Sequence, residues 1–145
     1  MYDLEKILLE LKSLPEYKDQ ISLQTVEGCN NYFYGTGNYT KLTHNENEFI
    51  KFNFDLPYIN SILEKEKMYR ARVMKLKSKT CLTLHQDPTL RKHIPLITNE
   101  KCFLVVDNEI IRLPADGNVY TVDTTKMHCA VNASWEDRIH IVGCI

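Results

Sequence analysis

The stretch Leu84–Leu96, LHQDPTLRKHIPL, sets two histidines, a carboxylate and an arginine into a run that otherwise reads as β-strand. In extended chain, residues i and i+2 share a face, so His85 and Asp87 can aim at one point while Gln86 faces away. An imidazole nitrogen and a carboxylate oxygen supply two adjacent metal ligands, and a third must come from elsewhere. His128, in TTKMHCAVN and 41 residues past Asp87, is the candidate. Two histidines and a carboxylate on one face of an octahedron leave the opposite positions open, an arrangement suited to ferrous iron. Arg138 follows ten residues later in WEDRIHIVG, where a strand would carry a fixed cation into the same pocket, as a dicarboxylate cosubstrate requires. A lone His-x-Asp is common in solvated loops. The pattern gains its meaning from the β-like sequence that links it to His128 and Arg138.

Working outward, Pro88 breaks the strand after Asp87 and Arg91–Ile97 begins another. Cys102–Val106 and Glu109–Leu113 flank Asp107 and Asn108, residues that accept positive φ and suit a two-residue hairpin. Pro114–Asn118 makes the next turn, and Val119–Asp123, Met127–Val131 and Arg138–Val142 read as further strands. Upstream, Tyr69–Lys77 alternates and places Arg70, Arg72, Met74 and Leu76 on one face. Arginines on an apolar face suggest a pocket wall, or else a half-exposed edge strand with snorkelling side chains.

Leu56–Lys67 reads as a helix with Pro57 in its first turn. Leu4, Ile7, Leu8 and Leu11 give Met1–Leu14 one apolar helical face, which either covers a sheet or serves a partner. Between the helices, Ile21–Val26 alternates like a strand, as does Phe49–Phe54. Asn30–Asn47 is polar and carries a Gly-x-Gly that lacks the third glycine of a phosphate loop. It is a surface loop, or a flap whose Tyr32, Tyr34 and Tyr39 close over a substrate. Two helices followed by seven or eight short strands predict a mainly β, cupin-like jelly roll, the double-stranded β-helix, as one domain over 1–145.

The chain has 145 residues, 43% hydrophobic and 26% charged, a composition ordinary for one globular domain. A net charge of −1, spread along the chain, gives no footprint for nucleic acid or a membrane surface. No apolar run approaches about 18 residues and the N-terminus lacks the order of a signal peptide, so the expected location is cytoplasmic. Five cysteines with no CxxC pair are expected to be reduced, buried small hydrophobes rather than a disulfide or zinc framework. A homodimer would help so short a chain to wall its pocket.

The segments 70–96, RARVMKLKSKTCLTLHQDPTLRKHIPL, and 122–143, VDTTKMHCAVNASWEDRIHIVG, resemble the aspartyl/asparaginyl β-hydroxylase family of 2-oxoglutarate-dependent oxygenases. The resemblance covers roughly Tyr69–Gly143 and lies in the His-x-Asp, the Arg-x-His at 91–93, the His-x-x-x-Asn at 128–132 and the Arg-x-His at 138–140. Met1–Lys67 matches no family feature. The resemblance implies Fe(II) held by His85, Asp87 and His128, with Arg138 pairing with the distal carboxylate of 2-oxoglutarate. It also implies that His93 faces the cosubstrate and that Arg91 faces cosubstrate or substrate. The implied reaction hydroxylates an amino acid or a peptide side chain with O2, giving succinate and CO2.

Arg70, Arg72 and Arg91 are the further cations expected near the site, and a substrate carboxylate would neutralise them. His93 and His140 are otherwise satisfied strand histidines, or groups that orient the ligands. Two other readings share the ligand set: a cupin metalloenzyme that does not use 2-oxoglutarate, and a jelly-roll binding module that keeps a metal.

Overall fold

The computed structural model describes residues 1–145. Helix α1 (Leu4–Leu11) starts at Asp3, whose Oδ1 accepts the backbone N–H groups of Glu5 and Lys6 at 3.1 and 3.2 Å. Helix α2 (Pro57–Lys65) has Pro57 in its first turn as expected, but its cap comes from α1. The Glu10 carboxylate accepts the N–H groups of Tyr58 and Ile59 at 2.8 and 2.9 Å. This satisfies two otherwise unpaired donors and places negative charge at the positive end of the helix dipole.

Eleven strands follow in chain order: β1 (Gln20–Ser22), β2 (Gln24–Thr25), β3 (Lys51–Phe52), β4 (Tyr69–Leu76), β5 (Thr80–Cys81), β6 (Arg91–Ile97), β7 (Cys102–Val106), β8 (Glu109–Ile111), β9 (Tyr120–Val122), β10 (His128–Asn132) and β11 (Arg138–Cys144). They form a five-stranded sheet in the order β1-β4-β11-β6-β9, a four-stranded sheet in the order β5-β10-β7-β8, and a separate β2-β3 pair. The predicted strand at Ile21–Val26 is therefore split: β1 joins β4, while β2 turns away to β3. The two larger sheets enclose a small core that includes Leu76, Leu104, Val106, Val122 and Ala130, which makes the molecule a cupin-like jelly roll. No helix is long and apolar enough to cross a membrane.

The five-stranded sheet is buried on both faces. Ala71, Val73, Ile94 and Ile141 join Ile7, Ile59, Ile62 and Leu63 of the helices in one apolar cluster. By alternation, the other face of the same strands presents Arg72, Met74, His93, Arg138, His140 and Val142 to the four-stranded sheet. β4 lies between β1 and β11, so its arginines are not on a half-exposed edge; they form a wall.

Two register slips aim this wall. Val142 pairs with Arg72 and Cys144 with Tyr69, so β4 carries one residue more than β11. The bulge falls at Arg70, which has φ +50°, a left-handed conformation that a bulky side chain holds only under tertiary constraint. The second slip, between Ile139 and His140, leaves Leu96 extra on β6, beside Pro95, which has no ladder N–H to give. Asp107 and Asn108 both take positive φ, 49° and 67°, as the β7–β8 hairpin turn requires.

Gly117 has φ +82°, and a Cβ there would collide with the backbone oxygen of Tyr2. Gly117→Ala is expected to cost about 1–3 kcal/mol and to lower Tm by about 3–10 °C, measured by calorimetry. The five cysteines are all free, but only Cys102 and Cys144 are buried and Cys81 is exposed, so the expectation of uniformly buried thiols does not hold. Cys81 points outward because strand alternation puts Leu82, not Cys81, against the inner core.

Candidate metal centre

His85 lies just beyond β5, outside regular strand, and is held to β10 by a two-way backbone bridge. Its N–H donates to the His128 carbonyl at 3.0 Å, and the His128 N–H donates to the His85 carbonyl at 2.9 Å. The bridge sets the imidazoles side by side with centroids 4.4 Å apart. Asp87 is fixed by its own N–H, which donates to the Thr124 carbonyl at 2.8 Å. Its Oδ2 lies 3.3 Å from His128 Nε2 and its Oδ1 lies 3.9 Å from His85 Nε2. Gln86 donates from Nε2 to the Thr125 carbonyl at 2.9 Å and lines the cavity without joining the triad. Three ligand atoms, one from each of His85, Asp87 and His128, all fall within 4.8 Å of one another.

The tautomers suit a metal. His85 Nδ1 is 2.6 Å from the Thr83 carbonyl and His128 Nδ1 is 2.9 Å from the Lys126 carbonyl, so each Nδ1 is the donor. In the neutral ring the Nε2 lone pair then faces Asp87. Two lone pairs and a carboxylate turned on one point repel one another unless a cation lies between them. In the metal-free chain the arrangement favours a proton on His128. Burial lowers the His128 pKa, but the Asp87 carboxylate and the Lys126 carbonyl outweigh it and raise the pKa above its ordinary value. Burial raises the Asp87 pKa, and His128, Arg91 and His85 more than reverse this.

The triad opens onto a cavity of about 390 Å³. Arg138, at the start of β11, lines it and is 3% exposed. Its sequence neighbours do not neutralise it: the Asp137 carboxylate accepts the Ser78 N–H at 2.9 Å, and no carboxylate comes within ion-pair distance of Arg138. Its Nε is buried without a partner, and burial pushes its pKa down to about 10, which leaves it charged at neutral pH. Asn132, of the His-x-x-x-Asn run, ties the β10–β11 connection by donating to the Leu76 and Glu136 carbonyls at 2.9 and 2.8 Å. That brace sets where Arg138 begins.

Not every arginine assigned to ligands is free for them. Arg70 lines the cavity, but its Nη1 pairs with Glu46 and its Nε and Nη2 donate to the Gly35 and Gly37 carbonyls, both at 2.9 Å. Arg91 lines the cavity too, and its Nη2 stands 2.9 Å from Glu46 and 3.4 Å from Asp87. Both thus pair with Glu46, whose single carboxylate is shared between the two guanidiniums, and Arg91 also steadies Asp87. Arg72 does face the cavity unpaired, as does Arg138.

His93 and His140 form a buried pair with their Nδ1 atoms 3.2 Å apart. Burial first, and then the Arg138 charge, holds both neutral; the His93 pKa falls to about 3 and that of His140 well below its ordinary value. Only His93 reaches the cavity wall.

Glu46 is the residue that sequence reasoning missed. It sits in a one-turn 3-10 helix, Glu46–Glu48, inside the polar stretch read as a loop. Three arginines on buried faces were the only signal that a counter-charge must exist. The same stretch sends Asn38, Tyr39 and Thr40 to the cavity, whereas Tyr32 packs on Phe54 and Tyr34 on Phe49 and His44. Of the three tyrosines expected in a flap, Tyr39 alone lines the cavity.

The arrangement is a jelly roll with a two-histidine, one-carboxylate cluster inside its mouth. A family model described as aspartyl/asparaginyl β-hydroxylase matches residues 2–143, so the chain belongs to that family, and the match includes the N-terminal half in which the sequence showed no family feature. Similar solved structures include the plu4264 protein of Photorhabdus luminescens, 14% identical over 50% of this chain and 57% of that one, with a TM-score of 0.43. A Cupin 2 conserved barrel domain protein of Salinispora arenicola is 17% identical over 50% of this chain and 58% of its own, with a TM-score of 0.41. A cupin superfamily protein of Desulfitobacterium hafniense is 10% identical over 52% and 65%, with a TM-score of 0.41. This chain thus spans less than two thirds of the length of each.

Proposed function

We propose that the protein is an Fe(II)- and 2-oxoglutarate-dependent hydroxylase acting on an amino acid or on a peptide or protein side chain. The observation that carries this reading is the triad of His85, Asp87 and His128 sharing a cavity with the buried, unpaired Arg138. A jelly roll that merely stored a metal would have no use for such an arginine, because an uncompensated buried charge is strongly destabilising. A guanidinium forks onto a carboxylate with two parallel hydrogen bonds, which suits the distal end of 2-oxoglutarate.

When bound, ferrous iron with 2-oxoglutarate and O2 supplies the oxidising chemistry, with succinate and CO2 released as a substrate C–H gains hydroxyl. The chain supplies position. Thr83 and Lys126 hold His85 and His128 in the tautomer that presents Nε2, and Arg91 with Thr124 holds Asp87. Leu82, Leu104, Ala130 and Val142 line the cavity with apolar surface that limits water. Neutral His93 adds a hydrogen-bonding edge without adding charge.

Two results are expected. Iron-reconstituted protein supplied with 2-oxoglutarate and air should form succinate slowly even without substrate; no succinate above that of the metal-free protein would refute the proposal. Metal binding competes with a proton on His128, whose pKa is raised, so affinity should fall as the pH drops. Anaerobic calorimetry with Fe(II), in buffers of different ionisation enthalpy, counts the proton released.

A further inference from the structure

We infer that His140 is a positioning residue: its Nδ1–H donates to His93 Nδ1, and His93 is thereby held with its own proton on Nε2, facing the cavity. Only the partner of that Nε2–H rests on the cosubstrate reading. The sheet brings the rings together. His93 on β6 pairs with Val142 on β11, and His140 lies two residues before Val142 on the same face. The rings meet edge to face with centroids 5.5 Å apart, and the Nδ1 contact is the one hydrogen bond that either side chain makes within the protein. His140 is 1% exposed and does not reach the cavity, whereas His93 does.

Neutral rings leave two arrangements. Burial and the Arg138 charge keep both histidines neutral, so each carries one N–H, and a contact of 3.2 Å needs one donor and one acceptor. If His93 were the donor, the His140 proton would sit on Nε2, which is buried without a partner. That strands an N–H, the kind of group that native interiors least often leave unpaired. If His140 is the donor, the stranded site is only a lone pair. His140 then keeps its proton on Nδ1, and His93 keeps its proton on Nε2.

The tautomer matters to a ligand. His93 Nε2 is neither hydrogen-bonded nor sealed off within the protein, and Arg138 lines the same cavity. As a neutral donor beside that cation, His93 meets a carboxylate oxygen of 2-oxoglutarate favourably. In the other tautomer it would turn a lone pair on the same oxygen. His140 lines no part of the cavity and bonds no metal ligand, so it acts through His93.

The test uses full-length protein, isotopically labelled on the ring nitrogens of its five histidines and loaded with zinc, a redox-inert stand-in for iron. Long-range proton–nitrogen NMR spectra tell an Nε2–H ring from an Nδ1–H ring, and single substitutions assign the signals. His93 should be Nε2–H and His140 should be Nδ1–H. His140→Leu should let the Nδ1–H form of His93 appear and should weaken 2-oxoglutarate by about tenfold, with zinc affinity within about twofold of native. His140→Asn, whose amide sets an N–H near the place of Nδ1, should restore the His93 signals and most of the affinity. Melting temperatures report whether both variants fold, and a purely structural histidine would change those alone.

A proton on Nε2 of His140 in the native protein would overturn the assignment, as would His93 signals that stay the same in His140→Leu. So would a 2-oxoglutarate affinity that stays within about twofold in that variant. Failure of the cosubstrate reading looks different. Both tautomers as stated, with the His93 change in His140→Leu, in protein that takes up no 2-oxoglutarate would uphold His140 and retire only the partner given to His93.

Discussion

Arg138→Met should leave Fe(II) binding intact while weakening 2-oxoglutarate by about thirtyfold to several thousandfold. The range is the loss of a charge-assisted pair in a desolvated pocket, about 2–5 kcal/mol. Arg138 is buried, lacks any carboxylate partner of its own and stands apart from the triad, so its removal subtracts ligand charge without disturbing a ligand atom. The variant should also fold at least as well as the native chain when no ligand is present, since an unpaired buried cation disappears. Parallel titrations of metal and 2-oxoglutarate check both halves, and equal 2-oxoglutarate affinity in the variant would remove Arg138 from the site.

Glu46→Ala should be the most destabilising single change on the cavity wall. Its carboxylate joins Arg70 on β4 to Arg91 on β6, with Cys144 of β11 donating to it from between them at 3.2 Å. Removing it strands two guanidiniums in a buried site, a loss of about 3–5 kcal/mol, or about 10–15 °C in Tm for a chain of this size. It also frees Arg91 to pull on Asp87, so metal affinity should fall with stability.

The pH dependence has a definite sign. Burial raises the Glu46 pKa, but Arg91 and Arg70 more than reverse this and leave it below the ordinary carboxylate value. A lowered folded pKa contributes stability that is fully present above the unfolded value and is lost as pH falls through the folded one. Native protein should therefore lose stability through the acid range faster than Glu46→Gln, and denaturant titrations at several pH values measure the difference.

The candidate ligands were legible from their spacing. His85 and Asp87 lie two residues apart, although on the connection beyond β5 that the His85–His128 bridge fixes rather than in a regular strand. Further on, β10 and β11 place His128 and Arg138 at strand starts. The strands at Arg91–Ile97 and Cys102–Val106 were readable to the residue from their flanking turn chemistry. What was not legible depends on pairing across the chain. Nothing local tells Glu10 to cap a helix whose first turn lies 48 residues further along the chain, or tells Glu46 to leave a polar loop for two buried arginines. The split at Leu23 is of the same kind, because its N–H and carbonyl bond to Ala71 and Asn53, and that choice of partners breaks the alternating run in two. Arg70 and Arg72 looked equivalent by alternation, and only the bulge and Glu46 separate a wall-building arginine from an unpaired one.

On the proposed function, His85, Asp87 and His128 would hold one ferrous ion to which 2-oxoglutarate binds. Anaerobic visible absorption tests it directly: Fe(II) is added to metal-free protein, followed by 2-oxoglutarate. A metal-to-ligand charge-transfer band should appear on the second addition, saturate at one equivalent of iron, and be absent in His128→Ala. A protein that binds iron but gives no band with 2-oxoglutarate, or a band that survives in His128→Ala, would contradict the account.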